Sequence, residues 1–322
     1  MLLKLIPDQT AIDFTRMRFI AMAFSAILVV ASLVAVFTLG FNFGVDFRGG
    51  VTIEVADDQP IDIGAVRSSV SGLGLGSVDV QEIQDFAGSD KAVIIRISQQ
   101  QADASAEDAN ANELAQQEAA AKVRAALTDL LGDGIEFRKQ EIVGPTVSGE
   151  LVQKGALAVA LAIAMMLIYI WLRFEWQFYA GSVIALLHDV IITLGLFAVT
   201  RLEFNLSIIA AILTIVGYSM NDTVVVYDRV RENLRKFKQK PLAELIDGSI
   251  NDTLTRTIMT SGTTMLALAA LAILGGEVLR GFTLAMIWGI VVGTYSSIFV
   301  AAPFLLATDV KRDWSKAVPA GA

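Results

Sequence analysis

The chain has 322 residues, 54% of them apolar, and a positive mean hydropathy, which excludes an ordinary soluble domain. Its formal net charge of −8 argues against nucleic acid as a partner. The absence of Cys excludes disulfide staples.

Six long runs with few charges each approach the ~20 residues needed to cross ~30 Å of hydrocarbon. They predict spans at 19–40, 154–172, 178–200, 205–227, 256–275 and 282–307. Residues 1–18 then form a short N-terminal segment and 41–153 an outer domain. Residues 154–307 form a five-span bundle with a connecting loop at 228–255, and 308–322 a tail. Lys4, Arg16 and Arg18 precede the first span, six basic residues from Arg229 to Lys240 follow the fourth, and Lys311, Arg312 and Lys316 follow the sixth. The short loops opposite hold Arg201 and Arg280. The positive-inside tendency therefore places both termini in the cytoplasm of a bacterial-type inner membrane. The first span is longer than a signal-peptide core and no small-x-small site follows it, so an uncleaved anchor is expected. "GVDFRGG" (44–50) leads from it into the outer segment. Its glycines Gly44, Gly49 and Gly50 permit a hinged or tight backbone, and Asp46 and Arg48 are spaced to pair.

Residues 41–152 carry 19 acidic against 8 basic residues, a net of −11, and fall on the periplasmic side. The hydrophobic period there changes to that of strands and short helices. "VTIEV" alternates as a strand, 61–74 reads as a short helix, and 77–83 and 91–97 read as strands joined at "AGSD". Residues 104–134 predict a long helix with Leu114, Val123, Leu127 and Leu130 on one side, ending near Gly132. Residues 135–144 predict a last strand. The order βαββαβ is that of a ferredoxin-like α+β domain, with one sheet face on the helices and the other open to a partner. The domain reads as a spacer, a docking surface or a moving part that grips a substrate. With no His, no Cys and no Ser beside a base, it holds no catalytic constellation.

The fourth span carries Asn221 and Asp222 within "GYSMNDTVVVYDRV". Ionisable groups inside a membrane segment are costly and turn inward or mark an ion path. Tyr218, Ser219 and Arg229 share the face of Asp222. Arg256 opens the fifth span, followed by Thr260, Thr263 and Thr264, and antiparallel packing would let it reach Asp222 as an ion pair. In the third span Gly181, Ser182, Ala185, Asp189 and Thr193 line one polar strip, beside His188, the only histidine. In the sixth, Gly289, Gly293, Ser296 and Ser297 form a small-residue seam for close helix packing. Asp222 and Arg256, with Asn221 beside them, read either as proton-pathway groups or as structural glue, Asp189 equally as either, and His188 as a structural hydrogen-bonding residue. An acid that gains and loses a guanidinium neighbour as helices move takes up a proton in one state and releases it in another.

"GVDFRGG" (44–50), "GYSMNDTVVVYDRVRE" (217–232), "NDTLTRTIMTSGTTM" (251–265) and "LRGFTLAMIWGIVVGTYSSIFVAAP" (279–303) resemble the SecD/SecF family of bacterial protein-export membrane proteins, over nearly the whole chain. The family is related to the resistance-nodulation-division exporters. The resemblance implies pairing with SecD, association with the SecYEG channel and YajC, and proton-driven withdrawal of unfolded preprotein on the periplasmic side. It implies a role in proton passage for Asp222 and Arg256, with a further acid supplied by SecD. It implies no enzymatic activity, no metal and no cofactor beyond the coupling proton. Two other readings are a subunit of a proton-driven small-molecule exporter and an intramembrane aspartyl protease using Asp189 and Asp222. The second lacks a G-x-G-D loop.

Overall fold

The computed structural model describes residues 10–57, 59–84, 91–100, 109–132, 134–308 and 310. The expected turn "AGSD" and residues 101–108 of the Ala/Gln-rich segment 100–121 lie outside the described residues. After a 3-10 turn at Thr15–Met17, helix α1 (Arg18–Leu39) ends at Gly40, whose φ of 65° suits a residue without Cβ. Strand β1 (Asn42–Phe43) and the single turn α2 (Val45–Arg48) follow.

The outer unit contains β2 (Gly50–Asp57), α3 (Ile63–Ser71), β3 (Val78–Gln84), β4 (Lys91–Ile97), α4 (Ala109–Leu131) and β5 (Glu136–Val143). Its sheet is antiparallel throughout, in the order β3-β4-β2-β5. Asp62 starts α3 by accepting hydrogen bonds from the N–H groups of Gly64 and Ala65. One sheet face contributes Val51, Ile53, Val55, Val93, Ile95 and Ile97 to a core closed by Val66 and Val70 of α3 and Val123 and Leu127 of α4. Leu114 and Leu130, expected on that side of α4, are exposed instead. The helix packs through Gln116, Ala119, Ala120, Val123 and Leu127, because small residues let it approach the sheet.

The remaining long helices are α5 (Pro145–Arg173), α6 (Trp176–Thr200), α7 (Leu206–Lys236), α8 (Leu242–Leu274) and α9 (Gly276–Ser296). Between α6 and α7 lies β6 (Glu203–Phe204), paired in parallel with β1. Beyond α9 come a π turn (Ser297–Ala301) and α10 (Ala302–Ala307). Pro303 has no N–H to donate and its ring crowds the preceding turn, which explains a widened turn just before it. Among the described residues six helices are long and apolar enough to cross a membrane. Those formed by α6, α7 and α9–α10 are about half buried over their most apolar stretches, while α1, α5 and α8 present most of their surface outward.

The connection at 228–255 is helical except for residues 237–241. Its Glu, Lys, Arg and Leu residues favour helix, so α7 and α8 run on past their apolar cores. They are joined there by polar contacts. Arg229 Nε donates to Asp252 at 2.9 Å, and Asn233 Nδ2 donates to Ser249 Oγ at 2.9 Å. The N-terminal segment is tied to the same region, Thr15 donating to Asp247 from its N–H at 2.8 Å and from Oγ1 at 2.6 Å.

The second sheet face is only partly open, with Thr52 and Glu54 buried at its centre and Asp79 and Gln81 exposed at its edge. It looks onto the end of the helical bundle, where Arg96 Nη2 donates to Glu203 Oε2 at 2.9 Å across a cleft of about 410 Å³. Glu54, Gln81 and Lys139 line the cleft from the sheet, and Arg201 and Arg280 from the helix connections. The odd-numbered residues of β2 fill the domain core, so its even-numbered residues are turned toward the bundle.

Candidate functional site

Two carboxylates are buried at the centre of the bundle. Asp189 on α6 is fully buried, and Asp222 on α7 is 8% exposed. Every carboxylate oxygen has a partner, as buried polar groups require. Asp222 Oδ1 accepts from Thr257 Oγ1 of α8 at 2.6 Å, and Oδ2 accepts from Ser297 Oγ at the start of the π turn. Asp189 Oδ2 accepts from Ser219 Oγ of α7 and from Ser296 Oγ of α9, the latter at 2.7 Å. Its Oδ1 lies 2.8 Å from His188 Nδ1. Adjacent serines thus reach different acids, because consecutive residues on a helix point about 100° apart.

Glycine makes this proximity possible. A Cβ on Gly293 would stand 2.8 Å from Ser219 Cβ, and one on Gly289 would strike the side chain of Ile215. These two glycines let α9 lie close enough to α7 for short hydroxyls to span the gap. Tyr227, one turn beyond Asp222, is fully buried and donates to the π-turn carbonyl of Ala301 at 2.8 Å.

The expected ion pair between Asp222 and Arg256 does not form. Thr257, not Arg256, is the α8 residue that meets Asp222, and Arg256 points outward one position around the helix. Asn221 is likewise exposed, beside Asp222 on α7. Arg256 itself stands exposed on α8. Thr260 and Thr263 continue its exposed stripe.

His188 is buried and stacks on Tyr295 of α9, with centroids 6.1 Å apart, while its Nε2 has no partner among the described residues. Tyr295 in turn donates to Ala21 O of α1 at 2.9 Å. Among the described residues no group of three or more His, Cys, Asp or Glu could hold a metal ion.

The glycine segment 44–50 is fastened to the bundle. Asp46 does not pair with Arg48. Its Oδ2 accepts from the backbone N–H of Leu206, the first residue of α7, at 2.9 Å. Gly44 N–H donates to Phe204 O at 3.0 Å. Phe41, Phe43 and Phe47 pack around Phe204, with centroids 5.1 to 6.0 Å away. Gly50 (φ 123°) sits where a Cβ would meet the carbonyl of Ile97. This segment acts as a strap from the sheet to the helix that carries Asp222. The hydroxyl of Thr257 and the Arg96–Glu203 pair are not legible in the sequence beyond the adjacency of Thr257 to Arg256. Ser219, expected on the face of Asp222, bonds Asp189 instead.

Residues 122–311 match the family described as protein export membrane protein SecD/SecF, C-terminal, and residues 34–61 match the SecD/SecF GG motif. The chain belongs to the SecD/SecF family. The protein translocase subunit SecF of Cereibacter sphaeroides is 46% identical over 316 residues, 98% of this chain and 94% of that protein. The protein of the same name from Rhodobacter capsulatus is 44% identical over 319 residues, 98% of this chain and 95% of that protein. Among solved structures, SecDF of Thermus thermophilus, described as a translocon-associated membrane protein, superposes with a TM-score of 0.80 at 31% identity. The superposition covers 95% of this chain and 40% of that longer one. Within the family's C-terminal region fall Asp189, Asp222, Arg256 and the π turn, and the strap at 44–50 falls within its GG motif.

Proposed function

We propose that this chain is an accessory subunit of the Sec translocase that works with SecD and uses the proton-motive force to complete preprotein export. The observation that carries this reading is Asp222, a carboxyl buried within a membrane-spanning helix and held by hydroxyls from two other helical segments. An acid in that position exchanges a proton rather than serving lipid-facing packing. The chain lies in the inner membrane with both termini in the cytoplasm, following its basic residues. Residues 50–143 form a ferredoxin-like domain in the periplasm, a reading supported by the sheet order β3-β4-β2-β5 and the α3 and α4 crossovers.

Pairing with SecD is supported by the outward polar groups of α7 and α8. Asn221 and Arg256 are exposed on apolar helices, and such groups face protein or water rather than hydrocarbon. A partner helix there, bearing an acid, would complete the path that Arg256 starts. SecYEG and YajC would be further neighbours, and unfolded preprotein the cargo. No enzymatic step and no cofactor other than the proton enters this scheme. Motion at Asp222 reaches the outer domain through α7, whose N-terminus is held by Asp46, and through Glu203, held by Arg96.

The test is Asp222→Asn in inverted membrane vesicles. The variant should co-purify with SecD yet lose proton-dependent completion of preprotein transport. Unchanged transport would remove the proton carrier from the scheme.

A further inference from the structure

Ser296 and Ser297 each face two acceptors, but a seryl hydroxyl has one proton to give. Ser297 Oγ reaches Asp222 Oδ2 and lies 3.0 Å from Thr294 O. Ser296 Oγ lies 2.7 Å from Asp189 Oδ2 and 3.1 Å from Gly293 O. By contrast, Thr257 and Ser219 have one acceptor each, the carboxylate. The two-acceptor pair sits where α9 passes into the π turn, whose closing bond runs from Ala302 N–H to Ser297 O.

We propose that Ser296 and Ser297 are positioning residues that convert the protonation of Asp189 and Asp222 into a change in the backbone at the π turn. This rests on the reading of Asp222 as a proton carrier. When Asp222 is ionised it only accepts, so Ser297 donates to it and α9 is tied to α7. When a proton arrives from outside and stays on Oδ2, the carboxyl becomes the donor. Ser297 then accepts from it and rotates its own hydrogen onto Thr294 O. No covalent bond of the serine breaks. The same exchange joins Ser296 to Asp189 and Gly293 O. A hydroxyl donated to an i−3 carbonyl competes with the helix's own bonds and bends it. The carbonyl of Gly293 already accepts the N–H of Ser297, so the competition falls on the residue that opens the π turn. π turns supply the slack for such an adjustment.

The charged and titratable groups around this pair are Asp189 and His188 on α6, Asp222 and Tyr227 on α7 and Tyr295 on α9, while Arg256 on α8 points outward. Ser297 differs from all of them in having no charge of its own to exchange. Its removal leaves Asp222 able to take up a proton but takes away a donor to the ionised carboxyl, so the pH dependence moves along with the coupling to the π turn.

The experiment compares Ser297→Ala, Ser296→Ala, Ser297→Thr and Asp222→Asn, each purified with SecD and assayed for proton-driven preprotein transport across external pH. Ser297→Ala should assemble normally, lower the rate about tenfold, the scale of one hydrogen bond to a charged group, and displace the pH profile. Ser297→Thr, which keeps the hydroxyl, should restore the rate to within about twofold. If Asp222→Asn abolishes transport while both Ala variants keep the wild-type rate and pH profile, the serine switch is overturned and the proton carrier stands. A Thr variant that unfolds at the wild-type temperature yet is as impaired as the Ala variant would also overturn it. If Asp222→Asn is itself active, the carrier reading falls and the switch with it.

Discussion

Asp46 holds the first backbone N–H of α7, on Leu206, at 2.9 Å, so the strap beneath the outer domain is fixed to the helix that carries Asp222. An acid at a helix N-terminus satisfies an orphan donor and meets the positive end of the helix dipole. Asp46→Ala should therefore destabilise the junction by about 0.5–2 kcal/mol. Hydrogen exchange should rise across 42–50 and 203–208 while the outer sheet stays protected. Proton-driven transport should fall in this variant although Asp222 is intact. Exchange confined to residues 42–50 with normal transport would show that the strap carries no motion.

The Arg96–Glu203 pair joins the outer sheet to the bundle at a second point. The chain contains no Cys, so a pair of introduced thiols can be addressed alone. With Arg96→Cys and Glu203→Cys, a short bis-maleimide should lock the sheet to the bundle and stop transport, while a maleimide that cannot bridge should leave transport near the level of the untreated double variant. Equal activity after bridging would mean that the cleft between them does not open during the cycle.

Arg256 is exposed, and the partners of Asp222 are Thr257 and Ser297 instead. Arg256→Gln should thus alter the thermal stability of the isolated chain by no more than about 0.5 kcal/mol, as for a surface residue. It should nonetheless abolish the proton-driven step once SecD is present. A large loss of stability without SecD would assign Arg256 to holding α8 in place.

Gly293 faces Ser219, whose Cβ would lie 2.8 Å and Cα 3.2 Å from an added methyl. Gly293→Ala should cost about 1–3 kcal/mol through overpacking. It should also displace Ser219 from Asp189. Thermal unfolding in detergent gives the first quantity, and transport by the assembled complex reads the second.

Much of this architecture is written locally. The uncharged run before Gly40 specifies α1, and alternation in "VTIEV" and "KAVIIRI" specifies β2 and β4. Asp222 stood out because its neighbours are hydrocarbon. What lay beyond reach depends on contacts between distant segments. Nothing local tells Thr257 from Arg256 as the partner of Asp222, since one position on a helix turns a side chain by about 100°. The helical ends of α7 and α8 escaped a search for apolar runs because charged helix formers build them, tied by Arg229 to Asp252. Leu114 and Leu130 show that an apolar residue on a helix need not face the core when Ala119 and Ala120 give closer packing. The π turn had one visible sign, Pro303, but its serines gain meaning only once α6 and α7 lie beside them.

The most direct measurement is proton flux. The chain and SecD, reconstituted in proteoliposomes with a pH-sensitive dye inside and preprotein engaged, should pass protons down an imposed gradient. Asp222→Asn should abolish that flux while leaving the complex assembled. Undiminished flux through the Asn variant would contradict the account, because the buried carboxyl would then carry nothing.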